Sequence, residues 1–251
     1  MSESKLYHKP EIFKQFPNLV AALSTRHGGV SPSPYESLNL GLYTEDDFRN
    51  VRENRVRFFE ALGFTEGDVV GLYQKHEDWV LWAFEPKQYV GYDAIISKEK
   101  NMLLTITIAD CVPILVYDSE NEALGAVHAG WRGTVKEIVR KTLERMNRKF
   151  GTDGKDCFAY VGTCIDECSF EVGEKVAAKF EDEFKRFDEF KQKFFVDLKM
   201  ANKAQLMNFG IPESQIEVSP FSTVLNNEDY FSYRKEGGTT GRGLAVIGMR
   251  S

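Results

Sequence analysis

No apolar run in this 251-residue chain approaches the roughly 20 residues that span a bilayer, and the opening MSESKLYHKPEIFKQF lacks the apolar core of a signal peptide. Cysteine is scarce. Cys111, Cys157, Cys164 and Cys168 are too few and too irregularly spaced for a disulfide framework, which fits a reducing cytoplasm. The C-x-x-x-C of Cys164 and Cys168 has the wrong spacing for a C-x-x-C zinc knuckle, and no second pair completes one. A net charge of −6 without a basic cluster speaks against a nucleic-acid partner. No repeat, low-complexity tract or linker appears, so residues 1–251 read as one domain, monomeric or homodimeric and away from membranes.

Against these absences stands one dense stretch, residues 103–148. Residues 103–108 read as a buried strand leading into Ala109-Asp110-Cys111, and a second strand follows over 112–117. Pro113 lacks an N–H for a central ladder and predicts an irregularity there. Residues 118–122 are turn-like, and 123–128 form the next strand. If Tyr117 faces Leu124, paired numbers sum to about 241. Cys111 and His128 then lie nearly opposite each other at the end away from the turn. Beyond His128, the Gly-bracketed turn AGWRG leads into Thr134-Val135-Lys136-Glu137, which has the form of a capping box and predicts a helix to about Arg148. A thiol, an imidazole, the Asp110 carboxylate, the Arg132 guanidinium and a positive helix end are thus expected together. Any one of these alone reads most simply as structural; their coincidence points to a site.

The flanking chain adds candidates. Residues 19–23 form a strand running into Arg26-His27-Gly28-Gly29, a loop whose backbone can approach a ligand. The rigid SPSPY segment and SLNLG follow, and a helix is expected from about Asp47 to Leu62, with Gly63 as its stop. Strands are expected at 69–74 and 79–84, with His76 at the break between them, and at 92–97 and 158–162. Residues 172–190 read as a charged surface helix and 196–209 as a further helix. Strands at 216–219 and 244–249 bracket a Gly-Thr loop carrying Arg234 and Arg242, which suits an anion.

In order, STRHGGVS, YESLNLG, the Gln74-x-His76 step, ADCVPIL, VHAGWRGT, CSFEVG and FSYRKEGGTTGR resemble the laccase-domain, or multicopper-polyphenol-oxidase-like, family. Its bacterial members are also called peptidoglycan-editing factors and purine nucleoside phosphorylases. The resemblance covers nearly the whole chain, and ADCxP with HAGWRG is its most specific part. It implies a single α+β domain with a mixed β-sheet and flanking helices. It also implies zinc held by His76, Cys111 and His128, with a fourth position open, as in catalytic zinc sites. Copper can occupy such ligands in vitro, because it binds them more tightly than zinc. A laccase needs a trinuclear cluster rich in histidine, whereas this chain has only His8, His27, His76 and His128.

The resemblance implies instead phosphorolysis of adenosine, inosine and methylthioadenosine, with deamination of adenosine beside it. Asp110 is the expected proton carrier, and Arg132 the expected charge stabiliser. Arg26, Arg234 and Arg242 are expected to bind phosphate, and Asn39 a ribose hydroxyl. The chain departs from the commoner pattern at Gly162-Thr163, where Gly-Pro is usual, and at Ser222-Thr223, where Cys-Thr is common; both bear on which nucleoside fits. Two other classes suit the same residues. One is a metal-free hydrolase of amide or peptidoglycan-type substrates, with Cys111 as nucleophile and His128 as base. The other is a non-catalytic, zinc-stabilised binding module.

Overall fold

Successive side chains of a strand point to opposite faces, and in the strand Met102–Ile108 both faces are buried. Leu103 enters one apolar cluster while Leu104 and Ile106 enter another. The same division runs through Val112–Asp118, where Ile114 and Val116 part from Leu115 and Tyr117. Strands buried on both sides require a layer above and a layer below. The computed structural model, which describes residues 6–251, has this form. Residues 1–5, part of the opening segment read for a signal peptide, lie outside the described residues.

Two six-stranded mixed sheets pack face to face. The first runs Tyr7–His8, Leu19–Ser24, Gly243–Met249, Met102–Ile108, Val69–Tyr73, Gln88–Val90. The second runs Ile216–Val218, Cys157–Val161, Val112–Asp118, Ala123–Ala129, Ala94–Ser97, Val80–Trp82. Between them lies a core of Leu23, Leu72, Ile106, Leu115, Leu124 and Ile247. Outside the first sheet packs the helix Phe48–Ala61, through Phe58 and Phe59; outside the second pack Ile138–Phe150 and Leu198–Asn208. The α+β class is as expected, but two stacked sheets and a small third stand where one mixed sheet was anticipated. Among the described residues no helix is long and apolar enough to cross a membrane.

Local chemistry explains both ends of the helix Phe48–Ala61. Asp47 caps Phe48–Ala61 by accepting from Arg49 N, and Gly63 leaves that helix at φ +73°, the left-handed region glycine favours. Phe48, in the first turn of that helix, is exposed, and Arg55 is buried and tied to Glu66 and Leu40 O. Three other expectations need correction. Pro113 makes no bulge: its carbonyl accepts from Gly162 N at 2.8 Å, beyond the last paired residue Val161, so its missing N–H costs only the final rung. The capping box at Thr134 does not form. Thr134 Oγ1 instead donates to Gly130 O and accepts from Asn202, and the chain makes a short helix, Trp131–Val135, before breaking at Glu137 (φ 57°). Residues 172–190 are not a long helix. After one turn, Glu174–Ala177, Lys185–Asp188 pairs antiparallel with Lys193–Val196, where the Phe187–Phe194 contact outweighs the helix propensity of the intervening lysines and glutamates.

Candidate metal centre

Three strands of the sandwich, Val69–Tyr73, Met102–Ile108 and Ala123–Ala129, finish at the same end as the cleft described below, and Val112–Asp118 and Gly243–Met249 begin there. Their registers fix what meets. Tyr117 pairs with Leu124 as expected, and the ladder stays in step through Pro113↔His128 and Val112↔Ala129. Cys111 therefore falls beside Gly130, diagonally from His128. A Cβ at Gly130 would stand 3.0 Å from Cys111 Sγ and 3.2 Å from His76 Cδ2, so the absence of a side chain makes room for all three groups. His76 reaches in from the loop after Val69–Tyr73 with φ 59°, a left-handed backbone uncommon for a non-glycine residue.

The ligand atoms of His76, Cys111 and His128 all lie within 4.8 Å of one another. Bonds of about 2.0–2.3 Å to zinc place tetrahedral ligands about 3.3–3.6 Å apart, so the donor set fits one ion after a small contraction. His76 is exposed, Cys111 half-buried and His128 buried, which grades the centre from solvent to core.

Asp93 holds this arrangement and was missed in the sequence, where it reads only as the residue entering an apolar strand. It is fully buried, and its carboxylate meets His128 Nδ1 at 2.8 Å. The same carboxylate accepts from the backbone N–H groups of Lys75, His76 and Glu77 at 3.1, 3.0 and 2.9 Å. One acid thereby bends the loop that carries His76 and turns Nε2 of His128 toward Cys111, the carboxylate–histidine pairing typical of metal sites. Its only local signal is an acid beside a strand with no sequence neighbour to neutralise it.

Electrostatics follow from this packing. Burial alone would raise the Cys111 thiol, but the charge and hydrogen bond of His128, with those of His76, outweigh it and bring it down to about 6. Burial would lower His128, yet the Cys111 thiolate and the Asp93 carboxylate carry it up to about 9. The metal-free pair is a thiolate and an imidazolium. Cys157 and Cys164, buried without such neighbours, are pushed upward and are inert thiols.

The centre opens into a cleft of about 580 Å³, within the range of small-molecule sites. Aromatic walls come from Tyr43, Tyr73, Trp131, Phe170 and Tyr233. Asp110, Arg132, Arg234 and Arg242 line it as expected. Asp110 (φ 87°) accepts from Thr223 Oγ1, Ser232 Oγ and Arg234 N at 2.6, 2.7 and 2.6 Å, so it organises the 223–234 loop across the cleft. The helix behind Arg132 is only Trp131–Val135, too short to add an appreciable dipole, and its guanidinium stacks on Trp131.

Two expected residues do not line this cleft. Arg26 is spent on Glu36 O, Asn227 O and Glu236 and packs on Phe231, facing a separate depression. Asn39 is fully buried, its amide engaged by Thr44, Asp46, Gly41 N and Arg242 N, which leaves nothing for a ribose hydroxyl. Gln74 does line the cleft, but both ends of its amide pair with the backbone of Thr107.

Known proteins resemble the chain along almost its full length. A purine nucleoside phosphorylase of Bacteroides thetaiotaomicron is 36% identical over 94% of each chain. One from Deinococcus radiodurans is 39% identical over 93% of this chain and 91% of its own. The crystal structure of YlmD from Geobacillus stearothermophilus superposes with a TM-score of 0.93 at 31% identity, covering 100% of this chain and 98% of that one. The family described as multi-copper polyphenol oxidoreductase laccase matches residues 20–250, and this chain belongs to it.

Proposed function

We propose that the protein is a zinc-dependent purine nucleoside phosphorylase, acting on adenosine, inosine and methylthioadenosine, that also deaminates adenosine. The observation that carries this reading is the His76–Cys111–His128 centre at the floor of an aromatic, arginine-lined cleft. The phosphorylase names of the relatives support it. The donors fit a single mononuclear centre. His8 packs against Tyr230 and Phe221, and His27 pairs with Asp229, so neither extends that centre toward the cluster a laccase uses.

His76, Cys111 and His128 would hold the zinc, which when bound would supply Lewis-acid polarisation at the cleft. The chain's own residues do the rest. Aromatic walls hold the base, and Arg132, Arg234 and Arg242 hold phosphate against the ribose. In phosphorolysis a phosphate oxygen bonds to C1′ as the C1′–N9 bond breaks, and the purine leaves with a proton. In deamination water adds at C6 and ammonia departs. Asp110, fixed by its three donors, carries the protons in both.

Incubating adenosine with the pure protein and following the products by chromatography tests this. Adenine is expected only when phosphate is present, and inosine with or without it; neither product appearing refutes the reading.

One geometric fact favours a second reading. Cys111, His128 and Asp93 form a thiolate–imidazolium–carboxylate chain like that of a cysteine hydrolase. His76, with no part in such a triad, favours the metal. Stoichiometric zinc lost together with His76 selects the metalloenzyme, while metal-free protein alkylated selectively at Cys111 selects the hydrolase.

Zinc binding carries its own pH signature. Between about pH 6 and 9 the metal-free Cys111–His128 pair holds one proton; below 6 it holds two and above 9 none. Zinc takes the thiolate and the neutral imidazole, so within that window binding displaces about one proton from the pair. Affinity rises about tenfold per pH unit there and more steeply below it. Calorimetry in buffers of different ionisation enthalpy counts the protons; affinity flat from pH 6 to 8 contradicts the assignment.

A further inference from the structure

Arg242 is half-buried in the cleft wall, yet no carboxylate pairs with it among the described residues. Burial lowers its pKa, and the nearby Tyr233 and Asp110 only partly restore it. A cation partly withdrawn from water with no carboxylate paired to it is stabilised by an anion placed beside it. Its Nη1 donates to Thr240 O and Gly241 O at 2.6 and 2.9 Å, which fixes the plane of the guanidinium. Nε and Nη2, the edge that grips an oxyanion side-on, have no hydrogen-bond partner among the described residues.

The side chain is held by the SLNLG segment. Asn39 Oδ1 accepts from Arg242 N at 2.9 Å, and Leu40 N donates to Arg242 O at 2.9 Å. A Cβ at Gly41 would stand 2.7 Å from Arg242 Cγ, so only glycine lets the arginine fold across this loop. The loop is itself fastened to the helix Phe48–Ala61. Asn54 donates to Ser37 O and Asn39 O, and Arg55 to Leu40 O. Arg132 and Arg234 are exposed: Arg132 stacks on Trp131, and Arg234 donates to Ser169 O and Glu171 O at 3.3 Å, longer than the bonds that hold Arg242.

We infer that Asn39 and Gly41 are positioning residues for an oxyanion socket whose gripping group is Arg242, and that its ligand in turnover is the phosphate co-substrate. The last clause rests on the phosphorylase reading; the socket does not. Arg132 and Arg234 line the same cleft as Arg242.

The test titrates inorganic phosphate into the metal-loaded full-length protein by calorimetry and measures the phosphate and nucleoside KM values in parallel. Arg242→Gln is expected to weaken phosphate binding and raise the phosphate KM roughly 10- to 100-fold, with the nucleoside KM unchanged. Arg242→Lys keeps the charge but loses the side-on grip, and recovers only part of the loss. Gly41→Ala leaves Arg242 intact yet shows the same selective rise in phosphate KM, which a merely structural role would not give. Melting temperature and zinc content confirm that each variant is folded. Phosphate binding that depends on Arg242 in a protein that cleaves no nucleoside upholds the socket and removes the phosphorylase reading. Phosphorolysis whose phosphate KM is unmoved in Arg242→Gln overturns the socket alone. Wild-type protein that binds no phosphate also overturns it.

Discussion

Cys111→Ser is expected to weaken zinc binding on the order of a thousandfold and to remove nucleoside phosphorolysis with it, while the fold survives. Serine matches cysteine in shape, and the half-buried side chain sits at the start of a strand, so packing changes little. What changes is the donor. The thiol is brought down to about 6 by His128 and His76, whereas a hydroxyl stays protonated and offers zinc only a weak neutral oxygen. Competition with a chelator reads the affinity and adenine release reads the activity; both should fall together. A variant that keeps its zinc and loses only turnover would move Cys111 from ligand to nucleophile.

Asp93→Asn is expected to cost 10- to 100-fold in zinc affinity and about 1–3 kcal/mol in stability, although Asp93 is not itself a ligand. The carboxylate receives four donors: His128 Nδ1 and the N–H groups of Lys75, His76 and Glu77. An amide of the same shape has one accepting oxygen, so its NH₂ must face at least one of these donors. The His76 loop loosens, and His128 loses the group that fixes its tautomer. Urea denaturation and zinc competition report the two effects separately. Loss of stability without loss of affinity would make Asp93 a packing residue only.

The parts of the site legible from sequence are those fixed by short-range geometry. Hairpin register follows from alternation, and alternation alone places Cys111 near His128. Helix ends followed from Asp47 and Gly63, which carry their conformational reasons locally. The strand break marks His76 as a candidate, but its role as a ligand comes only from the family resemblance, since nothing in a strand break says what lies across it. Asp93 stayed hidden because its partners are 16 to 35 residues away, and a buried acid is recognised only once those donors are in place. Asn39 and Arg26 looked available because polar residues in loops carry no local sign of being satisfied. Both are consumed by distant backbone and side-chain groups. The 172–190 segment misled for a related reason: lysine and glutamate favour a helix locally, whereas the Phe187–Phe194 pairing that decides the outcome forms only when the hairpin closes.

X-ray absorption at the zinc edge of the purified protein tests most directly whether His76, Cys111 and His128 share one open-sided ion. One sulfur at about 2.3 Å, two imidazole nitrogens at about 2.0 Å and one further light atom that exchanges with added ligands are expected. A shell without sulfur, or one that His76→Ala leaves unaltered, would contradict the shared centre.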